Sequence, residues 1–386
     1  MNYKKIKLRF LQLFVFIEFT IIFCFCKLFR IKNDEVWLIS ERGDEARDNG
    51  YAFYKYIKQT KKSIKVKYVI SKKSNDVNKI AKEDIVYLRS IKHYILFITA
   101  GRLISTHIMG YSPEMRLFNK LDSKLYLRIN GKRVFLQHGI TKDNIFDASK
   151  FNIDLFICGA KPEYDFLLKT SGFSKDVLKY TGFPRYDNLK RNNKKFILIM
   201  PTWRTTLFYC NTIEEFKKSE YYKKWYYLLN NEELKEYLLN KNIKIIFYPH
   251  YELQSFAESF SINNDNIIIA KKEDYDVQEL LNNCSMLVTD YSSVYFDIAY
   301  LRKPLIYYHF DYNEYRQSHY REGWFNYHND GFGPVVVKNT DVVKKIINYC
   351  DNDFKVEPKY INRTKKVFTY SDQSNSERVY KEIVEM

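Results

Sequence analysis

Glycine and proline are scarce in this chain, at 12 and 8 of 386 residues. That excludes collagen-like and low-complexity architectures. The six cysteines, at 24, 26, 158, 210, 284 and 350, form no Cys-x-x-Cys pair and have no histidine cluster beside them. A disulfide framework and a structural zinc site are therefore not expected, and a reducing cytoplasm fits. The one Gly-x-Gly, in Asp330-Gly-Phe-Gly-Pro334, lacks the rest of a dinucleotide fingerprint and reads as a loop. Asp311, Glu314 and Glu322 are scattered, so no paired-carboxylate glycosidase site is indicated. Acidic residues are outnumbered, 46 to 63 Lys+Arg, for a net charge of +17. Such a field draws phosphate-rich partners or anionic membrane surfaces. No nucleic-acid-binding motif accompanies it.

What is present is apolar and aromatic: 46% hydrophobic residues, 17% Phe, Trp and Tyr. That is enough for two ordinary domain cores and argues against disorder. A basic start (Lys4, Lys5, Lys7, Arg9) leads into the apolar run Phe10–Cys26, which Lys27, Arg30 and Lys32 close. No small-residue cleavage site follows it, so a signal peptide is not expected. The run is slightly short of the roughly 20 residues of a membrane span, and Gln12 and Glu18 interrupt it. A helix lying in or shallowly on an anionic membrane fits better.

From residue 34 onward, short apolar runs alternate with polar helical stretches. The first series of predicted strands is Val36–Ile39, Val66–Ile70, Ile85–Leu88, Leu103–Ser105, Val134–Leu136 and Leu155–Cys158. The second is Phe196–Met200, Ile243–Tyr248, Ile267–Ile269, Met286–Val288, Leu305–Tyr308 and Val335–Val337. Helices are predicted over Ala46–Gln59, Glu214–Leu239 and Asp276–Asn283. Strands that are apolar throughout belong to parallel sheets covered on both faces. The polar segment Asn188–Lys195 divides the two series. The expected organisation is a membrane-associating segment (1–31), a first Rossmann-like domain (32–190), a second (191–352) and a helical tail (353–386). Ligands of such sheets bind at the carboxyl ends of the strands.

Four strand exits carry candidate chemistry. In Leu136-Gln-His-Gly-Ile-Thr-Lys-Asp-Asn144, His138 ends a strand and has the pKa range for proton transfer. Gly139 leaves room beside it, and Lys142 adds a charge for phosphate. In Met200-Pro-Thr-Trp-Arg204, the Arg204 fork suits a phosphate. In Phe247-Tyr-Pro-His250, Pro249 stops a strand and puts His250 at its rim. In Met286-Leu-Val-Thr-Asp-Tyr-Ser-Ser293, Ser292 and Ser293 open a helix whose amides and dipole suit an anion, with the serines as its caps.

Together these segments resemble the CDP-glycerol glycerophosphotransferase family, the teichoic-acid primases and polymerases. The resemblance runs from about Val36 to Val336. It also rests on Ile39–Gly50, Thr181-Gly-Phe-Pro-Arg-Tyr-Asp187, Phe296-Asp297, Lys303-Pro304 and Phe310-Asp311. Gln137-His-Gly-Ile140 departs from the Trp-His-Gly-Thr common in the polymerases of that family. The resemblance implies a GT-B fold and transfer of glycerol phosphate, or a related polyol phosphate, from a CDP-polyol such as CDP-glycerol to a lipid-linked glycan acceptor. It implies that His138 is the general base and His250 a second essential histidine. Arg204, Ser292 and Ser293 would bind the donor phosphates, while Asp290 shapes the strand exit. No nucleic acid is expected as a partner, and the implied location is the cytoplasmic face of a bacterial membrane. No residue cluster calls for a metal; Mg2+ is compatible with the chemistry. The alternative is a GT-B glycosyltransferase using a nucleotide sugar.

Overall fold

A computed structural model describes residues 3–125, 129–318 and 321–386. The chain divides into two compact α/β units. Unit 1 comprises Met1–Ile140, Phe146–Asn188 and Tyr370–Met386; unit 2 comprises Thr141–Ile145 and Leu189–Thr369.

Unit 1 begins with α1 (Tyr3–Leu28). Its seven strands are β1 (Asn33–Ser40), β2 (Lys65–Ile70), β3 (Ile85–Tyr87), β4 (Ala100–Ser105), β5 (Lys132–Phe135), β6 (Leu155–Cys158) and β7 (Leu178–Tyr180). They stand in the order β3-β2-β1-β4-β5-β6-β7, and every pairing is parallel. The connecting helices are α2 (Asn49–Thr60), α3 (Ile91–Thr99), α4 (Met115–Leu125) and α5 (Lys161–Thr170).

Unit 2 repeats the plan. Its strands are β8 (Phe196–Met200), β9 (Lys244–Phe247), β10 (Ile267–Ile269), β11 (Met286–Thr289), β12 (Leu305–Tyr308) and β13 (Val335–Val336), in the all-parallel order β10-β9-β8-β11-β12-β13. Its helices are α6 (Ile213–Lys218), α7 (Glu220–Leu229), α8 (Glu232–Lys241), α9 (Val277–Asn283), α10 (Val294–Tyr300), α11 (Tyr312–Ser318), α12 (Asn339–Asp351) and α13 (Pro358–Val367). In both sheets the order reverses beside the first strand, between β1 and β4 and between β8 and β11. These are the switch points where α/β sheets of this kind bind ligands.

The apolar runs form strands because both faces are covered: every residue of β6, β8, β11 and β12 is buried. Two differences from the expected elements have local causes. The stretch predicted as one helix over Glu214–Leu239 is three. The Ser219 side chain accepts the Tyr222 N–H and the Asn231 side chain accepts the Leu234 N–H, and each capped start ends the helix before it. The tail does not stand apart either. α13 belongs to unit 2, whereas α14 (Asn375–Glu385) returns to unit 1. Asp187 accepts from the Asn375 and Ser376 N–H groups at 2.9 and 2.7 Å, and Arg378 Nε donates to the Thr181 carbonyl at 2.8 Å. Gly182, at φ +75°, lies against Asn375 so closely that a Cβ would sit 2.1 Å from Oδ1. The segment Thr181–Asp187 is therefore the seat of α14.

Candidate active site

His138 follows β5 through a turn that the backbone would not choose unaided. Gln137 has φ +56°, the left-handed region that costs a non-glycine residue about 1 kcal/mol or more. A fully buried polar network holds it there. Gln137 Nε2 donates to the Ile157 carbonyl at 2.9 Å and to Glu163 Oε1 at 3.2 Å, while Glu163 Oε2 accepts the Gly159 N–H at 2.8 Å. From α2, Asn49 Nδ2 donates to the Gln137 carbonyl at 2.8 Å, and its Oδ1 accepts the Arg185 N–H at 3.1 Å. Arg185 Nη1 bridges Asp48 Oδ1 and the His138 carbonyl, both at 2.8 Å. Three segments far apart in sequence thus converge on one turn. The result is an exposed His138 ring on a buried, satisfied base.

A second histidine, which sequence reading missed, stacks on it. His107 follows β4, and its ring lies 4.7 Å from that of His138, centroid to centroid, at 13°. His107 Nε2 accepts from Arg42 Nε at 3.1 Å, so its neutral ring carries the proton on Nδ1, 3.0 Å from Thr106 Oγ1. Burial, His138 and Arg42 push the His107 pKa down to about 2. Protein packed around His138 lowers its pKa as well; Arg42 and Arg185 add to the effect and Asp48 opposes it. Both rings are neutral at physiological pH. Deep in the same region, Glu41 is raised above the usual carboxylate range by burial and by Asp48, although three backbone N–H groups donate to it.

Unit 2 gathers charge at its strand exits. Arg204, after β8, is buried and forks onto Asp311, after β12, through Nε–Oδ2 at 2.7 Å and Nη2–Oδ1 at 3.1 Å. Nη2 also reaches Asp290 Oδ2, after β11, at 2.8 Å, and Nη1 donates to the Thr202 carbonyl at 2.6 Å and the Trp203 carbonyl at 3.5 Å. Burial works against the cation, but the two carboxylates hold its pKa above the ordinary arginine value. With acceptors on Nε, Nη1 and Nη2, this guanidinium would fork onto a phosphate only by releasing one of them. Asp290 Oδ1 accepts the Thr202 and Tyr291 N–H groups at 2.7 and 2.6 Å, which ties the β8 and β11 exits together.

His250, after β9, is partly buried; its Nδ1 accepts the Glu252 N–H at 3.3 Å, which puts the proton of the neutral ring on Nε2, and its ring stacks on Trp203 at 6.3 Å. Ser292 and Ser293 are half-buried at the start of α10. The expectation that they cap it changes in one respect: Ser293 occupies the cap position in helical conformation, and its side chain makes no capping bond. The Thr202 hydroxyl is buried without a hydrogen-bond partner among the described residues. Lys142 groups with unit 2, although Gly139 and His138 belong to unit 1. It is buried and paired with Asp143, which Arg316 also holds at 2.7 Å; burial lowers the Lys142 pKa and Asp143 opposes that. Lys303 caps the end of α9, donating to the Leu281, Asn282 and Cys284 carbonyls at 2.9, 2.7 and 2.7 Å. Among the described residues no group of three or more His, Cys, Asp or Glu is arranged to hold a metal ion, and Asp290 and Asp311 both face Arg204.

A family model described as CDP-Glycerol:Poly(glycerophosphate) glycerophosphotransferase matches residues 21–385. The minor teichoic acid biosynthesis protein GgaB of Bacillus subtilis (strain 168) is 35% identical over 371 residues, covering 91% of this chain and 40% of GgaB. The chain therefore spans well under half the length of that relative. The teichoic acid poly(glycerol phosphate) polymerase of Bacillus spizizenii (strain ATCC 23059 / NRRL B-14472 / W23) is 25% identical over 363 residues, 81% of this chain and 82% of that protein. In fold, the chain is similar to the wall teichoic acid polymerase TagF, with a TM-score of 0.71 at 16% identity over 100% of this chain and 99% of the other.

Proposed function

The chain belongs to the CDP-glycerol:poly(glycerophosphate) glycerophosphotransferase family, and from that premise we propose that it transfers a glycerol-phosphate-type unit from a CDP-polyol to a membrane-linked teichoic-acid-like acceptor, releasing CMP. The observation that carries this reading is the exposed His138, held neutral on a strained and fully hydrogen-bonded turn. A neutral imidazole with an accessible ring is equipped to take a proton from an acceptor hydroxyl. The alkoxide character that develops attacks the donor's β-phosphorus, the bond to the CMP oxygen breaks, and CMP leaves with the electron pair.

Unit 2 supplies the donor side. The start of α10 at Ser292 and Ser293, the buried Thr202 hydroxyl and the Nε2 proton of His250 are hydrogen-bond donors suited to phosphate oxygens. Arg204, enclosed by Asp290 and Asp311, acts as the pin that fixes the Thr202–Arg204 loop. Donors fixed in advance contribute several kcal/mol to such transfers, because they need no rearrangement as charge develops. Lys142 and Gly139 support the segment that links the two strand-end sites in sequence.

The acceptor side calls for a membrane. The outward face of α1, where Phe10, Leu13, Phe14, Ile17, Ile21 and Leu28 are exposed, supports a peripheral or monotopic attachment to an anionic surface, at the cytoplasmic face where nucleotide donors are made. The decisive experiment offers full-length protein CDP-glycerol, CDP-ribitol and UDP-sugars with lipid acceptors and measures nucleotide release. CMP release from a CDP-polyol, dependent on acceptor, is the expected result. UDP release, or no turnover, would overturn the reading.

A further inference from the structure

β1 ends at Ser40, and the next residue, Glu41, is fully buried. In α/β sheets the exit of a strand and the start of the helix after it form a place where a ligand phosphate takes backbone N–H groups. Here the chain fills that place with its own side chain. Glu41 Oε1 accepts the Asp48 and Tyr51 N–H groups at 2.8 and 2.9 Å, and Oε2 accepts the Arg47 N–H at 3.0 Å. These three bonds fix the first turn of α2 against the end of β1. Burying a carboxyl group has a cost that a neutral cap such as serine would avoid.

Two routes lead from Glu41 to the stacked imidazoles. The side chain fixes the start of α2. There Asn49 donates to the Gln137 carbonyl at 2.8 Å and accepts the Arg185 N–H at 3.1 Å, and Asp48 accepts from Arg185 Nη1. Those bonds hold the left-handed turn beneath His138. The main chain of Glu41 reaches the other ring. Its carbonyl accepts from Ser105 Oγ at 3.1 Å, and Ser105 Oγ in turn accepts the His107 N–H at 3.2 Å. Gly110 lies so close that a Cβ would sit 2.2 Å from the Glu41 carbonyl oxygen. Asn49, Gln137 and Ser105 are all buried, so water does not stand in for these bonds. An ordinary cap acts on stability alone. A cap joined by buried bonds to both ring-bearing turns also sets where the rings point.

We propose that Glu41 is a positioning residue for the transfer: acting through Asn49, its carboxyl group sets the His138 ring where it takes the acceptor proton. This rests on the reading of His138 as the base. The test is a double-mutant cycle in the full chain, with CMP release from CDP-glycerol measured against a lipid-linked glycerol-phosphate acceptor. In Glu41→Gln the amide nitrogen accepts no hydrogen bond, so one of the three N–H groups loses its partner. A displacement of about 1 Å at a reacting group costs up to roughly 10²-fold, so kcat should fall by about 10- to 100-fold with the KM for CDP-glycerol unchanged. In the His138→Ala background the same substitution should cost less than about threefold more, because no base is left to misplace. Thermal unfolding is compared with wild type first. If Glu41→Gln does not fold, Asn49→Asp enters the same cycle: it keeps an acceptor for the Arg185 N–H and turns a second one against the Gln137 carbonyl. Wild-type kcat in the folded variant, or a loss equally large with and without His138, would reduce Glu41 to a plain cap and leave the base reading standing. Near-normal turnover in His138→Ala alone would remove the base reading and the positioning role with it.

Discussion

At the ends of β4 and β5 the protein stacks two imidazoles, each pushed toward the neutral form; at the ends of β8, β11 and β12 it encloses a guanidinium between two carboxylates. Both regions crown sheets of the same strand order, and both are fixed by hydrogen bonds between segments far apart in sequence. They differ in what burial does to charge. In unit 1 desolvation prevails and strips protons from imidazoles; in unit 2 opposite charges meet and keep each other ionised. The lesson is that one strand plan can present a base ready to accept a proton or a rigid polar floor, depending on whether the groups packed at the strand exits have counter-ions.

The sharpest way to break this contrast is at the base. His138→Ala should lower turnover by roughly 10²–10⁴-fold, the scale of a lost general base, with donor affinity close to wild type, as read by single-turnover CMP release and calorimetric titration. Because the His138 pKa is lowered, the acid limb of the wild-type profile should fall below the ordinary histidine range near 6.5. Near-normal chemistry in the variant would remove the base from unit 1.

On the charged side, Arg204→Met strands Asp290 and Asp311 as neighbouring buried carboxylates. Breaking a buried pair from one side costs about 3–5 kcal/mol, so the denaturation midpoint should drop far more than for any surface arginine. A midpoint within error of wild type would show that the carboxylates relax into water and that the pin is dispensable.

Acid should distinguish the two units without any mutation. His93, fully buried in α3, has its pKa lowered to about 4 by burial. It charges near 6.5 when unfolded, so the unfolded chain binds the extra proton first. The stability it contributes is complete above pH 6.5 and is lost as pH falls toward 4, with about 2 kcal/mol gone by roughly pH 5. His107 acts in the same sense in unit 1 and His309, lowered to about 3 by burial, in unit 2. Limited proteolysis mapped by mass spectrometry should find unit 1 opening first on acidification. Simultaneous opening would erase the distinction.

The smallest expected effect belongs to His107. His107→Ala should reduce turnover about three- to tenfold, the worth of one aromatic stack, and leave donor affinity unchanged. His107→Phe should recover most of the loss. Recovery identifies ring positioning; its absence would shift the role to the bond with Arg42.

Much of this was legible in the residues. Leu155–Cys158, Phe196–Met200 and Leu305–Tyr308 were predicted with the bounds the strands have, because a strand buried on both faces is written as an unbroken apolar word; the edge strand Ile267–Ile269, half-buried at two positions, was found because it is apolar throughout. His138 and His250 were found at strand ends for the same reason. β7 escaped, since Lys179 interrupts the apolar run of Leu178-Lys-Tyr180. The partners of Arg204 were not readable: Asp290 and Asp311 lie 86 and 107 residues away, and nothing local distinguishes an arginine awaiting a phosphate from one already enclosed. His107 and Gln137 were hidden likewise. A left-handed glutamine has no signature of its own, and the network that holds it comes from Asn49, Ile157 and Glu163.

The return of α14 to unit 1 has a consequence for the order of synthesis. Unit 2 is nearly continuous in the chain, and its sheet can close as soon as residue 369 has emerged. Unit 1, begun first, waits. Asp187 has no helix to cap and Gly182 lacks Asn375 beside it until that residue arrives, so of the two units the one begun first is the later to be finished. During translation the older half stays open along one flank while the younger half folds. A nascent chain that has emerged as far as Thr369 but not Asn375 would carry a finished unit 2 joined to an unlatched unit 1.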